Sequence, residues 1–193
     1  MSSTRKFTAM ALGIMLGGAA LAFAASPGAT GSSGSDVFRG YLDTRGESGP
    51  RLFTLRVDSR TDEIDARRLE AALVEGGQEA MFARLGAMRP AGWLQIDRDT
   101  GYPVAVVSER LLDGERQIVA LVNRPIGFDE QFWGTRSTDY PFGLVVLTVD
   151  EFGEGRGTFV PAARARIGKD GRVSLLDYEA VPYRIMRVRT DAS

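Results

Sequence analysis

The side chains with the greatest chemical reach lie close together, between Asn123 and Phe142. Within about twenty residues the chain carries Phe128, Phe132, Trp133, Tyr140 and Phe142, interleaved with Arg124, Asp129, Glu130, Arg136 and Asp139. Aromatic faces beside guanidinium and carboxylate groups can stack on a planar or sugar-like ligand while the charges fix its orientation. The candidate ligand-binding residues are therefore Arg124, Asp129, Trp133, Arg136, Asp139 and Tyr140. The plainer alternative is an Ω-type loop packed by its own aromatics, with Arg124 or Arg136 tied to Asp129 or Asp139 in a structural ion pair. Connections this long inside compact domains are disproportionately functional, which keeps the binding reading in view.

The remaining composition narrows the chemistry. The 193 residues include no His and no Cys. A Ser-His-Asp triad, a thiol nucleophile, a His- or Cys-ligated zinc or haem site and a disulfide framework are all excluded. Catalysis on this chain would work through carboxylates, as in glycoside hydrolysis, where one acts as acid and the other as nucleophile or base. Asp129, Glu130 and Asp139 are the residues for that alternative, with Trp133 or Tyr140 as a sugar platform. No twelve-residue calcium loop with a terminal Glu is present, and Asp150 to Gly155 reads more simply as a hairpin turn. Gly153, Gly155 and Gly157 do not lead into a helix, so no phosphate loop is formed. No cofactor and no metal are expected. A formal net charge of −1 and a pI near 5.6 give no general electrostatic reason to bind nucleic acid.

The N-terminus carries an address. Arg5 and Lys6 precede an uncharged apolar run from Phe7 to Phe23, and Ala22-Phe23-Ala24 is a small-x-small cleavage pattern. Residues 1–24 thus read as a secretory signal peptide, with Ala25 starting the mature chain. The alternative, an uncleaved membrane anchor, suits the run less well. It is barely long enough to span and contains Gly13, Gly17 and Gly18. The expected location is periplasmic or extracellular, with no membrane insertion after cleavage. Residues 25–36, rich in Ser, Gly and Ala, read as a flexible linker ahead of a single domain over 37–193.

These side chains would be positioned by a largely β domain. Val37 to Leu42 is a first strand, and Phe53, Leu55 and Val57 alternate with polar residues as in a half-buried second one. The period then changes. Thr61 is placed to cap a helix, Ile64, Leu69, Ala72 and Leu73 share one face, and Gly76-Gly77 divides two helices over about 62–75 and 78–86. Further strands follow at Trp93–Ile96, Pro103–Leu111, Arg116–Val122, Phe142–Val149, Thr158–Ile167, Arg172–Leu176 and Tyr183–Val188. Asp113-Gly114 and Lys169-Asp170-Gly171 provide two hairpin turns. Connections this short favour antiparallel pairing. The expected fold is α+β: a mostly antiparallel sheet of about seven or eight strands, curled into a half-barrel or sandwich, with a helix pair inserted after an early strand.

Asn123-Arg124-Pro125-Ile126-Gly127-Phe128 and Arg136-Ser137-Thr138-Asp139-Tyr140-Pro141-Phe142, with Thr61-Asp62-Glu63 and Gly76-Gly77, resemble a family of exported bacterial proteins of unassigned function. The likeness runs from about Leu52 to Val188 and implies a discrete, recurrent domain. It brings no activity, ligand or catalytic residue with it. The expected function is that of an exported, non-enzymatic binding module for a small molecule or a protein. A secreted, carboxylate-dependent hydrolase is the alternative.

Overall fold

The computed structural model describes residues 35–44, 49–98, 101–126, 141–167, 173–177 and 182–192. Along them run β1 (Asp36–Asp43), β2 (Arg51–Val57), α1 (Glu63–Gly86), β3 (Gly92–Ile96), β4 (Tyr102–Leu112), β5 (Glu115–Val122), β6 (Phe142–Val149), β7 (Glu154–Ile167), β8 (Val173–Asp177) and β9 (Tyr183–Ala192). The signal peptide predicted for 1–24 lies outside the described residues. So does most of the predicted linker, whose last residue, Asp36, already belongs to β1.

The α+β class and antiparallel pairing hold, but the sheet neither stops at a half-barrel nor splits into a sandwich. The order β6-β5-β4-β3-β2-β1-β9-β7 is closed by a further β6–β7 pairing, so eight strands complete a barrel. A ninth, β8, extends the far half of β7 beyond the ring. Closure depends on two long strands. β7 serves three neighbours along its length, and β9 returns between β1 and β7 and bonds to both. Closure removes the edges that an open eight-stranded sheet would expose, leaving β8 and the part of β4 beyond Val104 without a second neighbouring strand among the described residues. The backbones approach most closely at two places: a Cβ at Gly155 would lie 2.1 Å from the Thr148 carbonyl oxygen, and one at Gly92 2.1 Å from that of Arg56. Only glycine lets two backbones approach so closely.

Alternation along each strand divides the apolar residues between two cores. Phe38, Phe53, Leu55, Leu94, Ile118 and Phe159 fill the barrel interior, each no more than 1% exposed. Outside the wall, Leu69, Leu73, Met81 and Leu85 of α1 pack on Val106, Leu121, Leu144 and Val160. The run in β6 is continuously apolar because Val145, Leu147 and Val149 face inward while Leu144 and Val146 face the helix.

The helix region is bent as expected: Gly77, at φ 68° and ψ −164°, breaks the helical geometry within Glu63–Gly86. Its first turn differs from expectation. Asp62 is the cap, its carboxylate accepting from the Asp65 N–H at 2.7 Å. Thr61 instead extends the sheet. Its N–H donates to the Val107 carbonyl at 2.8 Å and its hydroxyl accepts from the Val107 N–H at 3.0 Å. β3 pairs with β4 only as far as Val104, so Thr61 satisfies backbone groups that β3 does not reach. With the cap moved by one residue, Ile64 is 55% exposed and Ala66 takes a place in the core. The Asp113-Gly114 turn has positive φ at both residues (52° and 84°), as a tight two-residue hairpin requires. The turn predicted at Lys169-Asp170-Gly171 lies outside the described residues.

Candidate functional site

The two mouths of the barrel are built from different chemistry. At one, the inward-facing positions of three strands end in charge. Asp36 lies two residues before Phe38, Glu109 two after Val107, and Arg116 two before Ile118, so all three continue the interior faces of their strands. Arg60, just past β2, joins them. Arg60 donates through Nε and Nη2 to Glu109 Oε2 at 3.0 and 2.8 Å, and through Nη2 to Asp36 Oδ2. Arg116 donates to the Asp36 Oδ2 atom at 3.0 Å and to the Glu109 Oε1 atom at 2.7 Å. The four side chains close a ring in which each carboxylate sits between two guanidinium groups, and the Arg116 guanidinium carbon lies 6.0 Å from the Phe38 ring centroid.

The electrostatics of this ring fit a seal better than a catalyst. Partial burial raises the Asp36 and Glu109 carboxyls. Hydrogen bonds and charge from the two arginines outweigh it and hold both below their ordinary values. Arg60 and Arg116 are pushed further into the charged range by the same partners. A general acid needs the opposite shift. The ring is neutral as a whole, and it caps the apolar interior with groups that satisfy one another.

Aromatic groups line the other mouth. Tyr102 lies opposite Leu94, and Tyr183 lies opposite Phe159, so both tyrosines face inward. They remain partly exposed above the core, with the Phe159 and Tyr183 ring centroids 6.3 Å apart. The crossover between β5 and β6 is rooted here. The Ile126 N–H donates to the Pro161 carbonyl at 2.8 Å, and Ile126 is buried in the interior core. Arg124 is exposed and places its guanidinium carbon 4.5 Å from the Tyr102 ring centroid, a cation–π contact. Of the predicted binding residues, then, Arg124 stands at this mouth, over the Tyr102 ring. Asp129, Trp133, Arg136, Asp139 and Tyr140, with Glu130 of the hydrolase alternative, lie outside the described residues. Tyr183 was legible only as a strand residue and Tyr102 fell one residue outside the predicted strand, since nothing in their spacing marks them as facing a mouth. Charges continuing an alternating apolar face could have signalled Asp36, Glu109 and Arg116. No local pattern identifies Arg60.

Among the described residues no group of three or more acidic side chains is arranged to hold a metal ion, and no helix is long and apolar enough to cross a membrane. The molecule belongs to the class of closed antiparallel barrels whose interior is filled by side chains, with an ionic seal at one mouth and tyrosines at the other. In comparison with known proteins, the chain matches no family model, no curated protein and no solved structure.

Proposed function

We propose that the protein is an exported, non-enzymatic binding module, of the exported bacterial family its sequence resembles, and that it recognises its partner at the tyrosine-lined mouth. The observation that carries this reading is the filled interior. Phe38, Phe53 and Phe159 are each no more than 1% exposed, which supports a packed scaffold over a ligand-holding calyx. The charged mouth is closed by groups that neutralise one another. The other mouth combines two half-exposed tyrosines, an arginine on a tyrosine face and the roots of the 123–142 crossover. Such groups favour a ligand with a planar or sugar-like face and an anionic group. The hydrolase alternative rests on Asp129, Glu130 and Asp139, and no described geometry favours it.

The test compares wild type with Arg124→Ala, Trp133→Ala, Arg136→Ala and Asp139→Ala, all purified from the native host. Native mass spectrometry reads what co-purifies, and thermal melts read stability. Loss of a bound species with little change in melting temperature supports recognition at this mouth. Large stability losses at all four positions would make the crossover a structural element and refute the proposal.

A further inference from the structure

The barrel wall away from the helix carries arginines with no ion-pair partner among the described residues. Along β9 the outward and exposed residues are Arg184, Met186, Arg187, Arg189 and Asp191. A bulge produces this crowding. On β7, Gly155 pairs with Val188 and Gly157 with Ile185, so Arg156 alone faces both Met186 and Arg187. Arg187 takes up the bulge with φ at +52°, a conformation that an arginine rarely adopts. Arg189 is paired with Glu154 and Arg39 with Asp191. Arg156, Arg184 and Arg187 have no ion-pair partner among the described residues. Beside them Met186, Tyr41 and Leu52 lie directly opposite one another across β9, β1 and β2, exposed by 40%, 41% and 55%.

The helix presents the complement. Glu63 is paired with Arg67, and Asp65 with Arg68 and Arg84. Glu70, Glu75 and Glu79 have no ion-pair partner among the described residues, and Val74, on the same stretch of α1, is 62% exposed. Within one chain the two patches cannot meet. The helix covers the wall formed by β4, β5, β6 and the far half of β7, while the arginines stand on the near half of β7 and on β9.

We infer that the acidic helix of one copy docks on the arginine-bearing wall of a second copy, so that the chain assembles head to tail. The charges are opposite, each patch includes exposed apolar residues, and Tyr, Met and Arg are the residues enriched in protein interfaces. The contact is heterologous, so every added copy leaves one patch of each kind free. It therefore builds rings or open chains, and not a closed two-fold dimer.

Sedimentation velocity on the full chain tests this. Wild type is expected to gain mass with concentration beyond a dimer. It should return to monomer in about 1 M salt, where the Debye length is only about 3 Å. R184E/R187E and E75R/E79R should each weaken association about tenfold or more while circular dichroism stays unchanged. Mixing the two variants is the decisive arm: the reversed wall of one complements the reversed helix of the other as the native patches complement each other, so association beyond a 1:1 pair should return. Arg187→Gly adds a control in which the strained backbone is relieved and the charge is lost, so stability should rise while association falls. A monomer at every concentration, association that survives both double variants, or a mixture that restores nothing would overturn the inference. A monomer that instead binds a polyanion through these arginines would overturn it too, assigning the wall to an anionic polymer.

Discussion

Phe159→Ala is the sharpest probe of the filled barrel. Phe159 sits on β7 opposite Val145 and Tyr183, has no exposed surface and belongs to the interior core. Burying a phenylalanine side chain fully contributes about 1.5–3 kcal/mol. Truncation loses most of that and leaves a void that the closed ring cannot collapse, because each strand is held on both sides. The cost expected from both effects is about 3–5 kcal/mol. That is a large share of the roughly 5–15 kcal/mol by which a domain is usually stable. Urea unfolding of wild type and variant, at constant m-value, gives the difference directly. The void should also admit a small apolar probe such as benzene, which would restore part of the lost stability in the variant and do nothing for wild type. A loss below about 1 kcal/mol would mean that Phe159 borders open space. A benzene effect in wild type would mean the same. In either case the barrel would be a calyx, and the argument for recognition outside it would fail.

Two further outcomes follow from the ionic ring and the β6–β7 corner. Glu109→Gln leaves Arg60 and Arg116 sharing Asp36 alone, and at this half-buried mouth it should cost about 1–2 kcal/mol near neutral pH, less than for a fully buried pair. Because Asp36 and Glu109 are held below their ordinary values in the folded chain, their contribution is complete above the ordinary carboxylate range and fades as pH falls through the folded values. Wild type should therefore lose more stability than Glu109→Gln when urea melts are carried from neutral pH to acid; parallel curves would remove the ring as a source of stability. Gly155→Ala forces a Cβ against the Thr148 carbonyl and should cost about 2–3 kcal/mol or prevent closure, measured by the same melts, whereas a neutral result would show that the corner has room.

Much of the fold was legible because it is written in short-range pattern. Phe53, Leu55 and Val57 alternate in the sequence and face the interior in the structure, and Asp113-Gly114 forms its turn through local backbone preference. Closure was not legible. It depends on β9 pairing with both β1 and β7, strands far from one another along the chain, and no local period records which strands meet. Thr61 was misplaced for a related reason. Its hydroxyl is a fair helix cap in isolation, but the vacant edge of β4 competes for it and Asp62 can cap as well. At the site, Arg124 was singled out for its neighbours in sequence, while its partner in space, Tyr102, comes from another strand. The ring shows the same limit: Asp36 and Arg116 are far apart along the chain, and only the barrel brings them within 3.0 Å.

The division of labour in this molecule follows from the size of the barrel. Eight strands enclose a space that side chains alone can fill, so the interior is given over to stability and both mouths must be finished by other means. A ring of two acids and two arginines suits one mouth. Its hydrogen bonds run between strand ends that would otherwise fray, and its neutrality avoids burying an unpaired charge. Tyrosines suit the other, since each packs on the apolar core while remaining partly exposed. The consequence reaches the outer wall. A scaffold with a sealed, fully packed centre tolerates an arginine in a left-handed conformation at a bulge, because the flanking strands hold the backbone in place whatever that residue prefers. Glycine would hold this conformation without strain, and the side chain kept there instead has no ion-pair partner among the described residues.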